Sequence, residues 1–122
     1  MTDTSLVEIR LTPEFQRKLR TLAKKYRQIQ ADLHPILEQL QLGAFLGDQI
    51  PGIGSIVMKV RLKNSNIQKG KSGGYRLIYW ISSPELIVLL DIYSKSDQQD
   101  IEVGEIRQII KEFSTQSEET DV

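Results

Sequence analysis

Residues 86–93, LIVLLDIY, form a nearly continuous apolar run of strand length, and no other segment constrains the fold as much. A strand with one wet face alternates apolar and polar residues, so a run without alternation is expected to be a central strand covered on much of both faces. The rest of the chain must then supply neighbouring strands and layers to cover them.

Three further segments read as strands. Residues 5–11, SLVEIRL, alternate Val7, Ile9 and Leu11 with Glu8 and Arg10, the period of a half-buried strand. From Ile56 the period is again two: Ile56, Met58, Val60 and Leu62 share a face read as core, while Val57, Lys59, Arg61 and Lys63 share a face read as cationic. Tyr75–Ile81 follows, with Arg76, Ile78 and Trp80 on one face and Tyr75, Leu77 and Tyr79 on the other. The intervening NSNIQKGKSGG is too long for a two-residue turn and is expected to be an exposed, mobile loop between antiparallel strands.

Helical spacing fills the remainder. Thr12-Pro13-Glu14 reads as an N-cap, a first-turn proline and an acid favoured by the helix dipole. Phe15, Leu19, Leu22, Ala23 and Tyr26 then form the apolar stripe, leaving Arg17, Lys18, Arg20, Lys24, Lys25 and Arg27 on a solvated side. Pro35 is tolerated in a first turn, which predicts a second helix over 33–42 capped by Asp32 and stopped at Gly43. Its stripe is Leu33, Ile36, Leu37 and Leu40. Residues 47–54, GDQIPGIG, read as a loop. Asp100 or a neighbour caps a last helix with the stripe Ile101, Ile106, Ile109, Ile110 and Phe113.

The order strand, helical hairpin, three strands, helix predicts an α+β domain: an antiparallel sheet with the hairpin on one face. With 122 residues the chain fits one domain, residues 1–114, followed by a flexible acidic tail over 115–122. Absence of cysteine removes disulfides, thiolate metal sites and a cysteine nucleophile. The segment MTDTSLVEIRL lacks a basic n-region and a long apolar stretch, and no apolar run reaches the about 18 residues of a membrane span. A soluble, cytoplasmic protein is expected.

Net charge is zero, from 16 basic and 16 acidic residues, but the two signs are segregated. No acid lies between Asp48 and Glu85, where Lys59, Arg61, Lys63, Lys69, Lys71 and Arg76 all fall, and acids gather from Asp97 onward. Like charges in a row repel, so this cluster wants an anion, either a carboxylate of the fold or a phosphate from outside. Gly73 and Gly74 permit close approach of another backbone, as at many phosphate sites and in many plain turns. On composition alone, lysines guarding a sheet edge and an arginine snorkelling from it are the ordinary explanation. His34, the single histidine, reads as structural or exposed. Metal-ligand spacings, a nucleophile elbow and a Walker loop are all missing, so no cofactor or metal is expected.

The run VMKVRLKNSNIQKGKSGGYRLIYW, followed by LLDIYSKSDQQDI, resembles the RelE/HigB branch of bacterial type II toxins. The likeness covers the basic strand, the GKSGGYR turn into a strand, and the IYSKS end of the last strand, with the hairpin and closing helix also fitting. It implies a small α+β ribonuclease fold, metal-free cleavage of messenger RNA on the ribosome, and neutralisation by a cognate antitoxin. Carried over by position, Lys59 and Arg61 match the basic pair of the second strand, Arg76 the GYR arginine and Lys95 the basic residue after the last strand.

The resemblance gives Arg76 the scissile phosphate, which a planar fork can hold by two oxygens, and gives Lys59 or Lys63 the role of base toward the 2′-hydroxyl. Lys63, Lys69, Lys71, Gly73 and Gly74 would complete the RNA-binding surface. The family usually has a further arginine after the last strand and a tyrosine near the final helix, where this chain has Ser96 and Ile101 or Glu102. Tyr93 could replace that tyrosine, stack on a base, or be a core aromatic. The related ParE branch, which inhibits DNA gyrase on the same scaffold, and a degenerate member that only binds antitoxin or RNA are the alternatives.

Overall fold

The structure, a computed structural model, describes residues 6–66, 74–98 and 100–120. Its elements are β1 (Glu8–Leu11), α1 (Pro13–Lys25), α2 (Ile29–Gln41), β2 (Asp48–Gln49), β3 (Val57–Leu62), β4 (Tyr75–Ser83), β5 (Leu86–Ser94) and α3 (Val103–Thr120). The α+β class and the order of the main elements are as the periodicities predict.

The strands form one sheet in the order β1-β5-β4-β3-β2. The apolar run is β5, flanked by β1 and β4 and buried from Ile87 to Ser94. The three later main strands pair antiparallel as expected, and β1 makes the sheet as a whole mixed, running parallel to β5 and pairing Glu8 with Leu86 through Leu11 with Leu89. A strand followed by two helices is not tied to its neighbour in sequence, so alternation alone cannot say which strand it joins or in which direction. Residues 47–54 are not all loop either, because Asp48 and Gln49 pair with Lys59 and Met58 as β2.

Helices cover both faces. On one face α1 and α2 pack Phe15, Ile29, Leu33 and Leu40 against Val60, Leu62, Tyr75, Leu77 and Tyr79. On the other face α3 packs Ile106 and Ile109 against Val57, Ile78, Val88 and Leu90. The face of β3 read as cationic is therefore core at one end, where Val57 is fully buried, while Ile56 from the supposed core face is half exposed. The loop before β3 completes this cover: Ile53 is buried, and the Arg107 guanidinium donates to the carbonyls of Gly52 and Ile53.

Local chemistry explains where the helices start. Thr12 caps α1 as expected, its hydroxyl accepting from the Phe15 N–H at 3.0 Å and donating to the Leu89 carbonyl at 3.0 Å. Helix α2 begins four residues before the predicted start, with Gln28 at its cap and Pro35 inside it. An interior proline costs about 3 kcal/mol, and complete burial of Ile29 returns about 2 kcal/mol of that. Asp32, freed from capping, accepts from the Ser65 N–H at 2.9 Å and hydroxyl at 3.0 Å, and so ties α2 to the end of β3. Lys18, expected on the solvated side of α1, instead pairs with Asp91 of β5. Helix α3 starts from Glu102, whose carbonyl receives the N–H groups of Glu105 and Ile106, and runs to Thr120 through most of the segment expected as a tail.

Candidate active site

Strand register decides which cations meet. Between β3 and β4, Arg61 stands opposite Arg76 and Lys59 opposite Ile78; between β4 and β5, Arg76 stands opposite Tyr93. Arg61, Arg76 and Tyr93 thus form one row across three strands, with Lys59 two residues along the same face of β3. Residues as distant in sequence as 59, 76 and 93 become neighbours because strands lie about 4.8 Å apart.

Two like charges directly opposed on neighbouring strands are unfavourable unless an anion stands between or above them. Beside this pair the fold places a carboxylate, against Lys59 and Tyr93. Asp100 Oδ1 accepts from Lys59 Nζ at 3.4 Å, from the Tyr93 hydroxyl at 3.3 Å and from the Ile101 N–H at 2.8 Å. These contacts hold the Asp100 carboxyl below the ordinary aspartate range, the backbone N–H contributing most and Lys59 adding to it. Burial, reinforced by the Asp100 charge, pushes the Tyr93 phenol up to about 12, so at neutral pH it is a neutral donor.

Exposure separates the roles available to each residue. Arg61 and Lys63 are exposed and Lys59 is half-buried, whereas Arg76 is only 6 % exposed and donates to the Tyr75 carbonyl at 3.2 Å. Arg76 is therefore a fixed positive centre in the floor of the site, and the surface charge comes from β3. The Tyr93 ring is 3 % exposed and belongs to the core under α3, so its hydroxyl, and not its ring face, is offered to the site. Lys95 opens the turn after β5, where its N–H donates to the Gly74 carbonyl at 2.9 Å. Gly74 meets the need for close approach, since a Cβ there would collide with the Leu62 carbonyl oxygen. Lys69, Lys71 and Gly73 lie outside the described residues. His34 is exposed on α2 beside Glu38 and is not in this row.

Sequence reasoning did not find that Asp100 stands against Lys59 and Tyr93. It stands 41 positions from Lys59, just ahead of a helix, where an aspartate reads as a cap. The acid-free window suggested that an anion was wanted, but no spacing rule points across that distance. A cleft of about 380 Å³ opens beside the row, between α1 and the end of β5, lined by Arg17, Lys18, Thr21, Tyr93 and Gln98 among others. Among the described residues no three His, Asp or Glu side chains gather as a metal ligand set would, and no helix is long and apolar enough to cross a membrane.

Comparison with known families adds one finding: residues 14–121 match the family described as the RelE toxin of the RelE / RelB toxin-antitoxin system. The match begins at the first turn of α1 and includes every residue of the row.

Proposed function

Because the chain belongs to the RelE toxin family, and so to a toxin-antitoxin system with a cognate antitoxin as partner, we propose that it is an endoribonuclease that cleaves messenger RNA on the ribosome. The observation that carries this reading is the Arg61–Arg76–Tyr93 row with Lys59 beside it. Phosphate-directed chemistry needs cations fixed on rigid elements, and here they stand on adjoining strands of one sheet.

In this reading Arg61, Lys63, Lys69 and Lys71 draw the RNA backbone onto the sheet, and the acid-free window keeps that surface from neutralising itself. Arg76 reaches the scissile phosphate from the floor and stabilises the charge that grows on it in the pentacoordinate transition state. Lys59 takes part in proton transfer, Tyr93 donates its hydroxyl, and Lys95 adds charge at the end of the row. The antitoxin neutralises the protein by covering the same face, for which an acidic or apolar segment is suited.

Induced expression followed by mapping of transcript 5′ ends tests the proposal. New in-frame ends within coding regions, absent from an Arg76→Ala strain, support it. Growth arrest with gyrase-linked DNA damage and no new transcript ends would replace it with the ParE mode of action. Neither effect would leave a member that binds without cutting.

A further inference from the structure

The cation row wants an anion, and the carboxylate that the fold sets beside it is placed where chemistry could use it. Lys59 stands on β3 and Tyr93 on β5, with β4 between them. Two side chains that meet at one oxygen from strands two positions apart must meet over the intervening strand. Asp100 Oδ1 therefore lies across β4, the strand that carries Arg76. Its side chain is 66 % exposed, open to an arriving RNA. All three donors engage the same oxygen, Oδ1. Asp91, the acid that β5 itself carries, is fully buried and paired with Lys18.

Resting on the ribonuclease reading, we propose that Asp100 is the catalytic base that takes the proton of the attacking 2′-hydroxyl. The proton passes to a carboxylate oxygen as the 2′ oxygen forms its bond to phosphorus. The bond from phosphorus to the 5′ oxygen breaks with its electron pair, and that oxygen takes a proton from the Lys59 ammonium. Products are a 2′,3′-cyclic phosphate and a 5′-hydroxyl, with nothing oxidised or reduced. The contact between Lys59 and Asp100 then returns the proton from the carboxylic acid to the amine and restores both groups.

This division of labour follows from the geometry. Lys59 is held against a carboxylate, an arrangement suited to a cationic donor, and Asp100 supplies an ionised acceptor at neutral pH. An RNA phosphate strengthens that acceptor on arrival. It competes with Asp100 for Lys59 and brings negative charge beside the carboxylate, and both effects increase the carboxylate's hold on a proton.

Single-turnover cleavage of messenger RNA on programmed ribosomes, with the full chain and saturating enzyme, gives the test. Wild type, Asp100→Asn, Asp100→Glu and Arg76→Ala are compared, with RNA affinity measured alongside. Asp100→Asn is expected to lose about 100-fold or more in rate while keeping its RNA affinity, and Asp100→Glu to recover part of the loss. The wild-type rate should fall with decreasing pH through the carboxylate range, and the residual Asp100→Asn rate should lack that limb. Circular dichroism checks that each variant folds, which the exposed position of Asp100 favours for its two replacements. Asp100→Asn cutting as fast as wild type or faster, with Arg76→Ala inactive, overturns the assignment while leaving the ribonuclease reading intact. A wild-type protein that cuts no RNA overturns both.

Discussion

The ammonium nitrogen of Lys18 lies 2.8 Å from a carboxylate oxygen of Asp91, and Asp91 has no exposed surface at all. The contact joins α1 to β5 just beyond the stretch that β1 covers, so the helix takes over the protection of the central strand there. The Lys18 ammonium and the Ile92 backbone N–H both favour the charged carboxylate. Burial raises the Asp91 carboxyl above its ordinary range, with Lys18 opposing that shift.

Lys18→Met should therefore destabilise the fold by about 3 kcal/mol at neutral pH, since breaking a buried pair strands its partner charge. The sign of the pH dependence follows from the raised carboxyl. A folded-state value above the unfolded one contributes stability that is present at acid pH and lost as pH rises through the folded value. Without Lys18 the Asp91 value rises further, so the deficit relative to wild type should be largest near neutrality and shrink on acidification. Urea unfolding of both proteins across pH 4 to 7, or roughly that range, measures it. A deficit independent of pH would show that the lost energy is packing, not charge.

Gly74→Ala is expected to cost about 1–3 kcal/mol by overpacking, because the added methyl meets the Leu62 carbonyl oxygen and neither backbone can move without disturbing the β3–β4 ladder. Thermal unfolding should show a lowered Tm. An unchanged Tm would mean that the two strands separate at this end at little cost.

Arg76→Ala should lower the rate of RNA cleavage roughly 100- to 1,000-fold, the usual effect of removing one transition-state donor. Arg76→Lys should recover little, because it keeps the charge and loses the planar fork. Antitoxin binding by each variant separates lost chemistry from lost folding, a needed control for a side chain as buried as this one. Full cleavage by Arg76→Ala with an intact fold would remove Arg76 from the phosphate site.

RNA affinity should fall with log salt at a slope of about −2 to −3 if three or four phosphates are neutralised, each releasing about 0.7 of a counterion on a single strand. Arg61→Ala and Lys63→Ala, on exposed positions, should each reduce that slope by somewhat under one. Lys59→Ala should act differently, lowering the single-turnover rate at saturation, because a proton-transfer group works in the transition state. Equal effects from all three would mean that β3 presents a charged surface and nothing more.

Much of this fold is legible in the chain because its signals are local. The capping hydroxyl of Thr12 needs only the backbone three residues on, and the alternation through Met58–Leu62 and Tyr75–Ile81 states the pleat directly. The uninterrupted apolar run of β5 states its own central position. The same periodicities put Lys59, Arg61 and Arg76 on one kind of face before any pairing is known. What they could not state is what lies over that face. The parallel docking of β1, the closure of α3 over Val57 and Ile78, and the burial of Arg76 depend on contacts between segments with no local cue to one another. So does the early start of α2, where burial of Ile29 offsets most of the cost of an interior proline. Asp100 shows the division most clearly: its sequence position specifies a residue ahead of a helix, and only the register of β3, β4 and β5 places its carboxylate between Lys59 and Tyr93. Side-chain chemistry is carried by sequence, but electrostatic partnership depends on separation in space, which the packed sheet alone sets.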